Sequence, residues 1–165
     1  MDRTAREEYI FGSILLLSNK IQVWGDNILS GLTLKQWFLL LLISKMENKN
    51  PTINEITEFT GTSRQNIKKM LEHLDRKKYL KIKKSKTDAR ALNVSLLKKT
   101  YVYFVDNEKK GVQALISLFS EITEEELNVT CKTLEKLLVF FGTPPLEEYK
   151  LMENKLSSKT ILKAV

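Results

Sequence analysis

The chain has 165 residues, 42% of them hydrophobic and 28% charged, with three prolines and six glycines. That length and balance fit one domain or two small ones with a substantial core, and exclude a chain disordered throughout. One cysteine and one histidine exclude a disulfide framework and a His/Cys metal cluster. They also leave no Ser–His–Asp or Cys–His set for a hydrolase, so no cofactor, metal or catalytic residue is expected.

The net charge of +7 is concentrated in one stretch. Residues 62–90 hold eleven Lys or Arg against three acids, a surplus of eight; the other sixteen basic and seventeen acidic residues come to −1. A surplus this local points to a surface that faces a polyanion rather than to general solubility. WFLLLLI at 37–43 has seven apolar residues against the roughly 20 that a bilayer crossing needs, so no membrane span is expected. IFGSILLLS at 10–18 has the look of a signal-peptide core, but MDRTAREEY before it carries three acids and two arginines, the wrong charge for that role. A reducing, cytoplasmic setting is the expectation.

Along the chain, Ile10, Ile14, Leu17, Ile21, Trp24 and Ile28 recur in steps of 4, 3, 4, 3 and 4. This is the seam of a helix that packs along its length on a partner, and Gly31 marks its expected end. A second helix starts at Thr33, which can cap, with Gln36 three residues on and Leu32 and Trp37 as a hydrophobic staple. It runs through FLLLLISKM, apolar on nearly all sides and so read as buried, until ENKNP at 47–51 stops it. Thr52 and Glu55 repeat the capping pattern for a short helix that buries Ile53, Ile56 and Phe59, and Gly61 supplies a left-handed exit.

The next helix is capped by Thr62 or Ser63. Ile67, Met70, Leu71 and Leu74 form its buried stripe, with Gln65, Lys69, Glu72 and Arg76 opposite and Arg64 and Lys68 at the flank. A short helix, a tight Gly-containing turn and a second helix have helix-turn-helix spacing. The period then changes to two: YLKIKK at 79–84 and ALNVSL at 91–96 read as a β-hairpin around the polar SKTDAR at 85–90. A long helix is expected over 98–120, weakened near Gly111. Thr123 and Glu126 open another, with Leu127, Cys131, Leu134, Leu138 and Phe141 on one stripe, and GTPP at 142–145 ends it. A weak period at Leu146, Tyr149, Met152 and Leu156 leaves a further helix and a coil equally open.

Chemistry concentrates in the basic stretch. Thr62 and Ser63 at a helix start, with Arg64, Lys68 and Lys69, suit phosphate contacts; Gln65 and Asn66 are the types that pair with adenine, and Arg64 the type that reads guanine. In the hairpin, Lys83, Lys84 and Lys86 suit the backbone. Arg90 suits a narrow minor groove, with Asp88 placed to orient it.

Residues 52–96 resemble the winged helix-turn-helix core of MarR-type transcriptional regulators, on the run TSRQNIKKMLEHLDRKKYL and the D-x-R wing of Asp88 and Arg90. The layout agrees over about residues 5–141. Lys78 stands where the family usually has Gly, and Leu97 and Thr100 where it often has Leu-Thr and then Gly. The resemblance implies a mainly α (α+β) fold. It divides the chain into an N-terminal dimerisation helix (1–31), a winged DNA-binding domain (32–97), C-terminal dimerisation helices (98–142) and a tail (143–165). It implies a homodimer held by the first and last helices, here Ile10, Ile14, Leu17 and Ile21 with Leu134, Leu138 and Phe141, and read here as a repressor of pseudo-palindromic duplex DNA.

The resemblance also implies a small-molecule pocket. Peroxide-sensing relatives use a cysteine in the leading helix, which this chain lacks; Cys131 is read as a packed core thiol. Zinc-sensing relatives need several His, Cys and carboxylates, and His73 is alone. What remains is an organic effector, typically an aromatic acid in the family, or no effector, with Trp24, Trp37, Tyr101 and Tyr103 as candidate lining. The alternative is a winged-helix module that binds protein and not DNA, since the seam of the first helix requires a partner.

Overall fold

A computed structural model describes residues 1–85 and 90–142, and eight elements run along them. They are α1 (Arg3–Ile28), α2 (Leu34–Lys45), α3 (Ile53–Thr60), α4 (Arg64–Arg76), β1 (Leu80–Lys84), β2 (Leu92–Leu96), α5 (Lys98–Leu118) and α6 (Glu124–Phe140). The architecture is mainly helical with one small hairpin, as the periodicities predict. The proline pair expected to end the last helix and the tail at 143–165 lie outside the described residues.

Helix starts follow local chemistry closely. Thr33, Thr52 and Thr123 each accept from the backbone N–H three residues on, while Gln36, Glu55 and Glu126 reach back to the cap N–H. These are reciprocal capping boxes, each satisfying two otherwise orphaned donors. Ser63, not Thr62, caps α4, its hydroxyl accepting from the Asn66 N–H. Gly61 closes α3 at φ +62°, the left-handed conformation expected of it. One expectation fails: α1 ends at Leu29, whose N–H donates to the Gly25 carbonyl, and Gly31 (φ +83°) lies beyond it in the turn. α5 is the long helix the sequence predicts and runs unbroken through Gly111, an interior glycine that costs roughly 1 kcal/mol.

The core lies in the middle third of the chain. Leu39, Leu40 and Ile43 of α2, Ile53 and Ile56 of α3, Ile67, Leu71 and Leu74 of α4, Leu80 and Val94 of the hairpin, and Tyr103 and Phe104 of α5 form one cluster. The staple pair Leu32 and Trp37 packs with it. α2 is not buried all round, however: Phe38 stays half exposed beside Trp37. The strands pair antiparallel in a register that sets Leu80 opposite Leu96 and Ile82 opposite Val94. A single antiparallel bridge from Thr52 to Asn93, with the Val94 N–H donating to the Pro51 carbonyl at 2.9 Å, joins the entry of α3 to the hairpin.

The turn from α4 into β1 is a Schellman motif. The Tyr79 N–H donates to the Leu74 carbonyl and the Lys78 N–H to the Asp75 carbonyl, which requires Lys78 to adopt φ +63°. A side chain in that region costs about 1 kcal/mol, and the bulk of Lys78 is carried there because both flanking residues, Leu74 and Tyr79, are anchored in the core. Tyr79 also accepts, through its carbonyl, from the buried Thr100 hydroxyl and from the Leu97 N–H, fixing the start of α5.

Outside this core the flanking helices are apolar and uncovered. Ile10, Ile14, Leu17 and Ile21 of α1 are exposed, as are Leu134, Leu138 and Phe141 at the other end, and no residue of α6 is buried. Cys131 is accordingly exposed, contrary to its reading as a core thiol. It does sit on an apolar stripe, but nothing among the described residues buries that stripe.

Candidate nucleic-acid interface

α4 is the most sharply two-sided helix of the core. Ile67, Leu71 and Leu74 are buried, whereas Ser63, Arg64, Gln65, Asn66, Lys68 and Lys69 are exposed and Thr62 is partly covered in the turn. Its first turn contains no acid and begins with Arg64, whereas α6 opens with Glu124, Glu125 and Glu126. Acids at a helix start complement the macrodipole and stabilise it. α4 forgoes them, so its free N–H groups and the Arg64 guanidinium stay available to an anion such as a phosphate. Lys68 lies 3.9 Å from Glu72 in an exposed pair four residues apart, a contact worth only a few tenths of a kcal/mol and easily exchanged.

The hairpin adds a second set. Lys83, Lys84 and Arg90 are exposed, while Lys81 turns back toward Asp75 at 3.6 Å. Lys86 and Asp88, named from the sequence as wing residues, lie outside the described residues. Two further cations, Lys77 of the basic stretch and Lys99 beyond it, tie elements together. The Lys77 ammonium donates to the Gly31 carbonyl at 2.7 Å, tying the end of α4 to the α1–α2 turn. Lys99, from α5, donates to the Lys77 carbonyl at 2.9 Å and lies 4.5 Å from the centre of the Tyr79 ring. Sequence counting placed Lys77 with the surface charge; its use as a tether depends on a contact 46 residues away.

α1, α2 and α5 line a half-open cavity of about 340 Å³. Trp24 and Trp37 line it, together with Leu34, Phe104, Gly111 and Leu115 among others. Tyr101 and Tyr103, named with them from the sequence, are not among its lining residues. Tyr103 is a core residue, set edge-on to Tyr79 with centroids 5.5 Å apart, and burial with the neighbouring Tyr79 pushes its hydroxyl up to about 12. Tyr101 is likewise raised by burial. The lining residues of α5 carry a signal that could have found them: Phe104, Glu108, Gly111 and Leu115 follow steps of 4, 3 and 4. Gly25 matters here too. It is buried against α2, and a Cβ there would lie 2.6 Å from a Leu34 methyl, so its absence lets the two helices meet.

No group of three or more His, Cys, Asp or Glu among the described residues is placed to hold a metal ion, and no described helix is long and apolar enough to cross a membrane. His73 is half-buried on α4.

A core of three short helices and a hairpin, with a cationic second helix and long helices on either side, defines a winged helix-turn-helix protein. Residues 30–91 match the model of the MarR family. The fold is similar to that of a mutant MarR from E. coli complexed with operator DNA, at 18% identity, covering 84% of this chain and 99% of that one with a TM-score of 0.71. It is also similar to the S. aureus MepR–DNA complex, at 21% identity, 80% and 96% coverage and a TM-score of 0.68. A third likeness is to the organohalide-sensing regulator RdhR in its 2,4-dichlorophenol-bound form, at 14% identity, 85% coverage of both chains and a TM-score of 0.73. No curated protein matches the sequence. Over residues 30–91 the chain carries the sequence pattern of the MarR family, and over the rest of the described residues the likeness is one of fold.

Proposed function

We propose that the protein acts in the cytoplasm as a homodimeric repressor of pseudo-palindromic duplex DNA, released by a small organic effector. The observation that carries this is the confinement of the charge. The surplus falls within residues 62–90, where Arg64, Lys68 and Lys69 of α4 and Lys83, Lys84 and Arg90 of the hairpin region are exposed, while the helices on either side expose rows of aliphatic residues. The first pattern suits a polyanion and the second a protein surface. In this reading two copies of α4 enter successive major grooves about 10 base pairs apart. Arg64, Gln65 and Asn66 face base edges, Ser63, Lys68 and Lys69 face phosphates, and Lys83, Lys84 and Arg90 follow the adjacent backbone and minor groove. Two of the similar structures are described as DNA complexes, which supports the orientation.

The effector seat is the cavity between α1, α2 and α5. It lies where the proposed dimer helices meet the winged core, so an occupant that favours one spacing of the two α4 helices shifts DNA affinity. It does so only to the extent that it binds the two arrangements differently. The ligand described for RdhR supports an organic molecule of this size.

The test is fluorescence anisotropy on duplexes from the intergenic region beside the gene, across a salt series. Log affinity should fall steeply with log salt, by about 0.9 for each phosphate neutralised. Arg64→Ala should weaken binding by roughly ten- to a hundredfold and Arg90→Ala clearly, with Lys69→Ala lowering the salt slope by about one. A dimer that ignores duplex DNA even in dilute buffer overturns the reading in favour of a protein-binding module.

A further inference from the structure

We propose that the cavity between α1, α2 and α5 selects a hydrophobic aromatic ligand carrying no negative charge, and discriminates against the aromatic carboxylates typical of the family's effectors. This rests on reading the cavity as the effector seat.

Three features of the wall set the charge rule. The lining is apolar apart from Asn107 and Glu108, and Glu108 is its one ionisable residue. A bound carboxylate would meet a second carboxylate and no cation of the lining. The wall also includes the C-terminal end of α1, at Ile28 and Leu29, and the last turn of that helix has no basic residue. Helix C-termini carry partial negative charge and disfavour anions. The feature that would ordinarily seat an anion is the N-terminus of α2, where Leu34 lines the cavity. That seat is filled by the protein itself: the Asp26 carboxylate accepts from the Leu34 N–H at 2.6 Å, and the Thr33 hydroxyl takes the Gln36 N–H. An incoming carboxylate must displace Asp26 or lie beside it.

Two ammonium groups bind carbonyls at the end of α1 and in the turn after it, Lys110 that of Ile28 at 3.4 Å and Lys77 that of Gly31 at 2.7 Å; both offset the carbonyl charge there, and neither lysine is among the lining residues. Against this background the indoles of Trp24 and Trp37 offer electron-rich faces to a neutral ring or a cation, and the volume suits a ligand of one or two rings.

The chain's two tryptophans both line the cavity, so intrinsic fluorescence reports on this site alone. The experiment titrates the full-length protein with three probes built on one ring: 2,4-dichlorobenzyl alcohol, 2,4-dichlorobenzylammonium and 2,4-dichlorobenzoate. The alcohol and the ammonium should quench, with the benzoate binding at least roughly tenfold more weakly. Asp26→Asn, which keeps an acceptor for the Leu34 N–H and removes the charge, should recover several-fold of the benzoate affinity and leave the alcohol unchanged. Glu108→Gln should weaken the ammonium and strengthen the benzoate. Benzoate binding as tight as the alcohol, or no quenching by any probe up to its solubility limit, overturns the proposal. Anisotropy of a labelled operator duplex on the same samples reads the effector role separately. A missing release of DNA is thereby distinguished from a failure of the charge rule.

Discussion

The winged core and the helices that flank it are both rich in leucine and isoleucine, yet they use them in opposite ways. In the core, Leu40, Ile56, Ile67, Leu71, Leu74, Leu80 and Val94 are fully buried by contacts within one chain. In the flanks, Phe140 is 81% exposed and Phe141 78%, and the seam of α1 is open from Ile10 to Ile21. A buried Leu contributes about 1.5–3 kcal/mol through removal from water; an exposed one contributes nothing until something covers it. The core is therefore a self-sufficient folding unit, whereas the flanks hold stabilisation in reserve for an assembly. In the proposed function, that division puts DNA reading on the core and leaves the spacing of the two copies to an interface that a ligand biases.

The largest expected effect tests the core half of this contrast. Leu71→Ala removes a fully buried side chain at the centre of α4 and should cost about 2–5 kcal/mol. Denaturant unfolding should show a lowered midpoint that does not depend on protein concentration. The paired change in the flanks, Ile14→Asp with Leu138→Asp, should leave the core's circular dichroism intact while raising the dimer dissociation constant roughly a hundredfold or more. Sedimentation velocity decides it; a variant that stays dimeric at micromolar concentration would break the contrast.

A smaller effect of opposite sign is expected at the α4–β1 turn. Lys78→Gly relieves the left-handed strain and should raise stability by about 1 kcal/mol, visible as a higher melting temperature with DNA affinity nearly unchanged. The smallest effect compares matched capping boxes in the two regions. Hydrogen bonds from the Thr52 backbone and hydroxyl, and from Asn48, hold the Glu55 carboxyl below its usual 4.5, and those from Thr123 do the same for Glu126. A depressed folded-state value means stabilisation that is complete above the unfolded pKa and fades as pH falls through the folded one. Both boxes should therefore loosen below pH 4.5. Glu55→Gln should flatten the acid limb of core unfolding, and Glu126→Gln should leave that limb alone and act on the helix content of the flank.

Much of the molecule was legible because its signals are local. Caps at Thr33, Thr52 and Thr123, the left-handed Gly61, the stripe of α4 and the change of period into the hairpin each depend on residues within a turn or two of one another. The same reading went wrong where the partner is distant. Cys131 lies on an apolar stripe, but the stripe faces outward in the single chain. Tyr103 has the spacing of a pocket residue and is instead packed on Tyr79. Gly111 reads from the sequence only as a weak point of a long helix, and its place in the cavity wall is set by α1 and α2.

By itself, then, the sequence determined where helices and strands begin, which face of each is apolar and where positive charge accumulates, because capping, periodicity and charge density are properties of short segments. Only the tertiary structure decided which cations point outward and which, like Lys77 and Lys99, tie elements together. It alone decided that the two tryptophans share one cavity, and that Asp26 occupies the start of α2. Those outcomes turn on contacts between residues far apart along the chain, and no local pattern specifies which of several compatible faces will meet.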